Sequence, residues 1–157
     1  MENREIERKW LVKEIPDNLE QYPCLLIEQA YLCGSPTVRV RKENDSYYLT
    51  YKGSRRDPSN TDISHSEYNL PLDSESYQHL KEKRDGILIR KKRYVIPTEE
   101  GLHIELDVFD PPLSPLVLVE VEFETEEDAE SYIPPEWFGE DVSNKPDYKN
   151  SVMALGR

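Results

Sequence analysis

The 157-residue sequence has few of the residues that build disulfides, zinc clusters or membrane segments. Its only cysteines, Cys24 and Cys33, have no histidine at metal-binding spacing, so we interpret them as reduced thiols. No apolar run approaches the length of a transmembrane helix, and the second residue is already charged, which argues against a secretory signal. The sequence therefore predicts a cytoplasmic protein with no membrane partner.

Positive charge is also scarce. The chain has 20 Lys and Arg against 32 Asp and Glu, which gives a formal net charge of -12. A surface this acidic repels anionic membranes and duplex nucleic acid, so neither is expected as a partner. An anionic substrate would need a local positive region inside a negative surface.

Apolar residues make up only 36% of the chain, but the length is sufficient for one domain with a core. Ten Tyr and twelve Pro favour strands and turns over a helical bundle. We see no internal repeat and no composition shift, so we expect a single domain over residues 1–157.

Alternating apolar and polar residues, the period of a half-buried strand, recur through the chain. Eight segments are predicted as strands, over residues 5–12, 25–33, 37–42, 47–52, 65–72, 87–96, 102–109 and 116–124. Helices are predicted over 73–84 and 125–132, with one more short helix in the tail. The fold class is mainly β (α+β), with antiparallel strands that form a closed barrel or a strongly curved sheet and a few flanking helices.

The polar faces of these strands separate charge by sign. Acidic pairs are Glu5 with Glu7, Glu105 with Asp107 and Glu120 with Glu122, and basic pairs are Arg39 with Arg41 and Lys91 with Arg93. Lys9, Lys52 and Glu67 add single charges. On segment 87–96 the alternation fits either phase. We place Lys91 and Arg93 on the polar face because Leu88 and Tyr94 then join the apolar layer.

Two arrangements fit this pattern. A curved sheet could pack its apolar face on the helices and expose the charged face to water. Alternatively, the sheet closes with charge inside and apolar residues outside. Like charges two residues apart repel each other, and a bound metal or polyanion would offset that repulsion. Paired carboxylates suit a divalent cation, and Lys and Arg suit phosphate. A closed tunnel would thus bind a metal-complexed polyphosphate.

The run Glu5-Ile6-Glu7-Arg8-Lys9 resembles the ExExK signature of the CYTH domain, or triphosphate tunnel metalloenzyme, superfamily. The similarity continues through Val38-Arg39-Val40-Arg41, Tyr51-Lys52-Gly53, Lys91-Lys92-Arg93-Tyr94, Glu105-Leu106-Asp107, Val119-Glu120-Val121-Glu122-Phe123, Pro135-Glu136-Trp137-Phe138-Gly139 and Tyr148-Lys149-Asn150. It implies an eight-stranded antiparallel barrel with a charged tunnel, and hydrolysis of a triphosphate with Mg²⁺ or Mn²⁺.

The resemblance also implies roles for individual residues. Glu5, Glu7 and Glu122 would bind the metal, and Glu120 would place the attacking water. The phosphates would be bound by Lys9, Arg39, Arg41, Lys52, Lys91 and Arg93, of which Lys9, Arg39 and Arg41 would also act in catalysis. Further acids available to a metal are Glu67, Glu105 and Asp107. Asn69 departs from the family pattern, because many relatives carry a second acid there, and this leaves a second metal open.

The implied activity is hydrolysis of inorganic tripolyphosphate, and possibly of nucleoside triphosphates, with release of orthophosphate. Alternatives are a class IV-type adenylyl cyclase, a thiamine triphosphatase and a non-enzymatic polyphosphate-binding module. The small size and the lack of an obvious base-binding insertion favour the hydrolase. The sequence does not fix the preferred triphosphate, the metal or the oligomeric state.

Overall fold

The alternating segments form the strands of one antiparallel sheet in the computed structural model, which describes residues 4–54 and 56–157. The strands are β1 (Arg4–Val12), β2 (Cys24–Gly34), β3 (Thr37–Glu43), β4 (Ser46–Lys52), β5 (Ser64–Leu72), β6 (Asp85–Pro97), β7 (His103–Phe109), β8 (Val117–Phe123) and β9 (Phe138–Asp141). All eight predicted strands are confirmed, with ends shifted by at most two residues. The sequence did not predict β9, which is too short to show an alternation.

Eight of these strands close into a barrel. Their order is β5-β4-β3-β2-β6-β7-β8-β1, and β1 also pairs with β5. That closing seam is short: Arg4 lies opposite Ser66, Glu5 opposite His65, and Ile6 opposite Ser64. β9 pairs with the far end of β1, outside the barrel. The predicted closed eight-stranded barrel is therefore confirmed, and the open curved sheet is excluded.

Three helices lie against the barrel: α1 (Ser74–Glu82), α2 (Glu126–Ser131) and α3 (Asn150–Leu155). The side chain of Asp73 accepts a hydrogen bond from the Ser76 amide at 2.7 Å and caps α1. Thr125 caps α2 in the same way, through the Asp128 amide at 3.0 Å. Such caps satisfy amides that have no partner inside the helix. Short 3-10 turns occupy Leu19–Gln21 and Pro146–Tyr148.

The apolar strand faces point outward and are covered by these elements. Trp10, Leu106, Val119 and Val121 form the largest cluster, under α2 and β9, together with Ile96, Ile104, Phe123, Ala129 and Phe138. A smaller cluster of Ala30, Val40 and Tyr77 lies under α1. Burial of this surface outside the barrel provides the hydrophobic stabilisation and leaves the interior free for charge.

The sequence pattern suggested a charged interior, but one layer of the interior is apolar. Ile89, Phe109 and Leu118 continue the inward faces of β6, β7 and β8, and they pack with Tyr31, Val142 and Ala154. This apolar layer and α3 fill one end of the barrel, and α3 packs on β2 and β6.

No helix in the described ranges, 4–54 and 56–157, is long and apolar enough to cross a membrane.

Candidate active site

All eight barrel strands contribute side chains to one internal cavity of about 660 Å³. The predicted residues that line it are Glu5, Glu7, Lys9, Arg39, Arg41, Lys52, Glu67, Lys91, Arg93, Glu105, Glu120 and Glu122. Asp107 is the one predicted site residue that does not line the cavity. The charged faces therefore point inward, which the sequence pattern alone left open.

One wall of the cavity is acidic and surrounds the ammonium group of Lys52. Its Nζ lies 2.5 Å from Glu5 Oε1, 3.6 Å from Glu7 Oε1 and 3.9 Å from Glu67 Oε2. Burial lowers the pKa of Lys52, but attraction to Glu5 and Glu7 raises it by a larger amount. The pKa therefore lies above its ordinary value, and the ammonium stays charged. Lys52 is thus held among the acids, apart from the cations with which the resemblance grouped it.

The same wall holds more carboxyl groups than the single charge of Lys52 can balance. Burial raises the pKa of Glu5, but Lys52 outweighs it and brings the pKa down to about 2. In contrast, burial followed by repulsion from Glu120 and Glu5 raises the pKa of Glu7 well above its ordinary value. Partial burial, with Glu5 as the next cause, raises the pKa of Glu122 to about 7. Carboxylates that resist ionisation in this way would be stabilised by a nearby cation.

The donor chemistry of this wall fits a divalent metal, because hard cations prefer carboxylate oxygens. No three acidic, histidine or cysteine side chains in the described part of the chain form a finished metal site, however. Three of the carboxylates, Glu5, Glu7 and Glu67, surround Lys52 instead. A metal at Glu5, Glu7 and Glu122 would therefore compete with Lys52 for the first two carboxylates.

The opposite wall is basic, and Asp107 lies behind it. Asp107 is fully buried and accepts hydrogen bonds from Arg93 Nε at 2.7 Å and from Arg93 Nη2 at 2.9 Å. It also pairs with Lys91 Nζ at 2.8 Å. The remaining Arg93 nitrogen, Nη1, donates to Glu105 at 3.0 Å. Asp107 thus supports two cations from outside the cavity and is not placed to bind a metal within it.

Burial changes the pKa of Lys91 more than the neighbouring Asp107 carboxylate does. Despite the attraction of Asp107, burial lowers the pKa of Lys91 to about 7. Burial likewise raises the pKa of Asp107, but Arg93 and Lys91 reverse this and hold it below its ordinary value. Asp107 is therefore ionised at neutral pH, whereas Lys91 loses its proton near neutral pH even with Asp107 beside it, and a second anion would favour its charged form.

Lys9 and Glu120 lie between the two walls. Lys9 Nζ is 3.6 Å from Glu120 Oε1 and donates to the backbone carbonyl of Tyr148 at 2.9 Å. Glu120 also lies 3.9 Å from Arg93 Nη2. Burial raises the pKa of Glu120, but Lys9 and Arg93 hold it well below its ordinary value. Glu120 is therefore a firmly ionised carboxylate and a weak base.

The two arginines of β3 complete the basic lining. Arg41 donates to Gln29 Oε1 from Nε at 2.9 Å and from Nη2 at 2.7 Å. Its nearest carboxylate, Glu43, is 4.0 Å away. Arg39 Nε is buried without a hydrogen-bond partner among the described residues. The Arg39 Nε donor is therefore available to an oxygen of an anion.

The CYTH domain family matches residues 3–145. The chain belongs to the CYTH domain family. Its sequence is 39% identical to the inorganic triphosphatase of Nitrosomonas europaea over 155 residues, which is 96% of this chain and 97% of that protein. It is 33% identical to the inorganic triphosphatase of Acetivibrio thermocellus over 158 residues, which is 96% of this chain and 92% of that protein.

A solved structure agrees with this placement. The inorganic triphosphatase NE1496 superposes with a TM-score of 0.69 at 37% identity, over 96% of this chain and 94% of that one. The resemblance inferred from the ExExK run is therefore confirmed.

This CYTH domain also has cavity residues that sequence reasoning missed. Among them are Gln29, Tyr31, His65, Tyr148 and Asn150, each of which lines the cavity or bonds to a cation in it. One signal was available: Gln29 interrupts an otherwise apolar face of β2 between Ile27 and Tyr31. His65 Nδ1 is buried without a partner in the described residues. Burial and then Lys52 lower the pKa of His65 to about 4, so the ring is neutral.

Proposed function

We propose that this chain hydrolyses inorganic tripolyphosphate to orthophosphate and pyrophosphate with a divalent metal. The observation that carries the proposal is a cavity inside the closed barrel in which a basic wall faces a wall of excess carboxyl groups. A metal-complexed polyanion needs both surfaces at once. The activity named for the two relatives agrees with this assignment.

In this proposal, the basic wall binds the phosphate chain. Its cations Arg39, Arg41, Lys91 and Arg93 are joined by Lys9, between the two walls, and by Lys52, which lies on the acidic wall. Arginine offers planar paired donors that match two phosphate oxygens, and lysine offers a compact charge. A phosphate beside Lys91 would favour its charged form and offset the effect of burial. Substrate would thus strengthen its own binding site.

Glu120 orients the attacking water. Its low pKa makes it a hydrogen-bond acceptor and too weak a base to remove a proton early in the reaction. The water oxygen bonds to the terminal phosphorus as the bond from that phosphorus to the bridging oxygen breaks, pyrophosphate leaves, and the water protons end on phosphate oxygens of the two products. Phosphoryl transfer of this type depends mainly on position and electrostatic stabilisation.

Glu5, Glu7 and Glu122 would hold the metal, with Glu67 and Glu105 as additional carboxylates nearby. A bound Mg²⁺ or Mn²⁺ would supply positive charge to the phosphate oxygens. The single-domain organisation over residues 1–157 and a cytoplasmic location stay predictions.

The direct test is phosphate release from tripolyphosphate, ATP and thiamine triphosphate, each with Mg²⁺, with Mn²⁺ and with chelator. We expect metal-dependent orthophosphate release, fastest with tripolyphosphate. ³¹P NMR of the products separates the alternatives, since a cyclase would form cyclic AMP and pyrophosphate from ATP. Binding of tripolyphosphate with no product under any metal would identify a binding module and reject the hydrolase.

A further inference from the structure

The tail of the chain reaches into the barrel and contacts its cations. Helix α3 packs against the ends of β2 and β6 at very close range. A Cβ on Gly86 would lie 1.9 Å from the Ala154 carbonyl oxygen, and a Cβ on Gly34 would lie 3.0 Å from Leu155 Cδ1. Glycine at both points lets the helix sit directly on the strands. This fixes the first residue of α3, Asn150, at the cavity wall.

Asn150 joins two groups of the basic wall. It is nine-tenths buried, and its Oδ1 accepts hydrogen bonds from Lys91 Nζ at 3.0 Å and from Gln29 Nε2 at 3.1 Å. Gln29 is fully buried, and its Oε1 accepts both hydrogen bonds from Arg41. A continuous hydrogen-bonded chain therefore runs from Arg41 through Gln29 and Asn150 to Lys91.

The side-chain amides of Gln29 and Asn150 are uncharged, unlike Asp107, the carboxylate that also contacts the basic wall. Asp107 is a buried carboxylate that binds Arg93 through two nitrogens and also pairs with Lys91 Nζ at 2.8 Å, so its one negative charge is shared by two cations. Arg41 is instead held by Gln29, and Glu43 lies at the outer limit of an ion pair. An amide oxygen accepts the same hydrogen bonds as a carboxylate but carries no net charge. It can fix a guanidinium or an ammonium without cancelling its positive charge.

We propose that Gln29 and Asn150 are positioning residues that hold Arg41 and Lys91 in place without adding negative charge beyond that of Asp107, so that positive charge remains available to phosphate. The inference rests on the proposed binding of tripolyphosphate in this cavity. It assigns the C-terminal helix a part in substrate affinity, because the wall is complete only when Asn150 is seated.

The test is a change of charge without a change of shape. Gln29→Glu and Asn150→Asp replace one amide nitrogen by oxygen, so packing is retained and a carboxylate is added beside Arg41 or Lys91. We expect each variant to bind tripolyphosphate about 10- to 100-fold more weakly, the range of one charge-assisted contact. The effect should appear mainly in KM, with a smaller change in kcat. Asn150→Ala, which adds no charge, should weaken binding less than Asn150→Asp.

Matched controls are Gln78→Glu on the exposed side of α1 and Gln21→Glu in the exposed 3-10 turn after β1. Neither residue lines the cavity, so both variants should bind tripolyphosphate as the unaltered protein does. Calorimetry of tripolyphosphate binding without metal measures affinity independently of turnover. Equal affinity in Asn150→Asp and the unaltered protein, with equal melting temperatures, would overturn the positioning role.

The outcomes also separate this inference from the proposed activity. If the unaltered protein binds tripolyphosphate but releases no phosphate, the activity is wrong and the binding comparison still decides the positioning role. If Gln29→Glu does not fold, the Asn150 variants decide it. If turnover is present and all variants match their controls in KM and affinity, the positioning role alone is rejected.

Discussion

Lys91 and Asp107 form an ion pair of 2.8 Å in which each side chain is only 1% exposed. Arg93 binds the same carboxylate, so one acid supports two cations of the basic wall. Removal of one member of a buried ion pair leaves the others uncompensated, which destabilises a protein by about 3–5 kcal/mol. We expect a loss of this size in the free energy of unfolding of Asp107→Asn at pH 7, measured with urea.

The pH dependence of that loss has a definite sign. The pKa of Asp107 in the folded protein lies below its ordinary value of 3.8. The stabilisation is therefore complete above pH 3.8 and is lost as the pH falls through the folded-state pKa. On the acid side, the difference in unfolding free energy between the unaltered protein and Asp107→Asn should narrow below pH 3.8. Asp110→Asn, an exposed substitution three residues on, should show no such difference at any pH.

A second prediction concerns the acidic wall. Glu7→Gln preserves shape and removes one carboxylate charge, so turnover of tripolyphosphate should fall by roughly 100-fold or more while the fold is retained. Calorimetric titration with Mn²⁺ should show weaker metal binding in parallel. Glu14→Gln, on an exposed residue just after β1, serves as the control. Near-normal turnover in Glu7→Gln would show that the metal site is misassigned.

A third prediction tests the phase of β6. Lys91 and Arg93 are buried, whereas Arg90 and Lys92 are exposed, so the phase chosen from the sequence is confirmed. Arg93→Ala should abolish most turnover through loss of phosphate contacts and should also destabilise the fold, since Asp107 loses a partner. Lys92→Ala should leave both properties unchanged. Kinetics and urea unfolding of the pair measure the two effects separately.

A fourth prediction follows from the charge of the basic wall. Tripolyphosphate without metal should raise the melting temperature, because a ligand that binds only the folded state stabilises it by mass action. At one hundred times the dissociation constant the gain is about 2.7 kcal/mol, or roughly 5–10 °C for a domain of this size. Orthophosphate at equal ionic strength is the control. A melting temperature that does not move would indicate that the cavity does not bind the polyanion.

The sequence was sufficient to predict which residues share the charged face of each strand. Alternation has a period of two, so the side of Glu5, Arg39 or Glu120 follows directly from the pattern. It did not decide whether the sheet closes, because closure depends on the pairing of β1 with β5, segments about sixty residues apart. The same pairing brings Lys52 to Glu5, so the ammonium among the acids could not be predicted.

The sequence also could not predict how deep each side chain lies inside the barrel. Glu105 and Asp107 lie on the same face of β7, yet one lines the cavity and the other lies behind Arg93. Only the register of β6 against β7, which pairs Arg93 with Asp107, separates them. Asn150 was missed for a related reason, because its contacts depend on where the tail re-enters the barrel.

The short seam between β1 and β5 predicts where the backbone of the ligand-free protein opens most easily. Few backbone pairs join the two strands there, whereas β1 is held to β8 from Ile6 to Leu11. Glu5 and Glu67 lie on opposite sides of this seam, and Lys52 reaches both. We expect the amide protons of residues 64–66 to exchange with solvent before those of the neighbouring strands. Cations shared across the seam would slow that exchange, so metal loading should be visible in the backbone of β5 before any substrate is present.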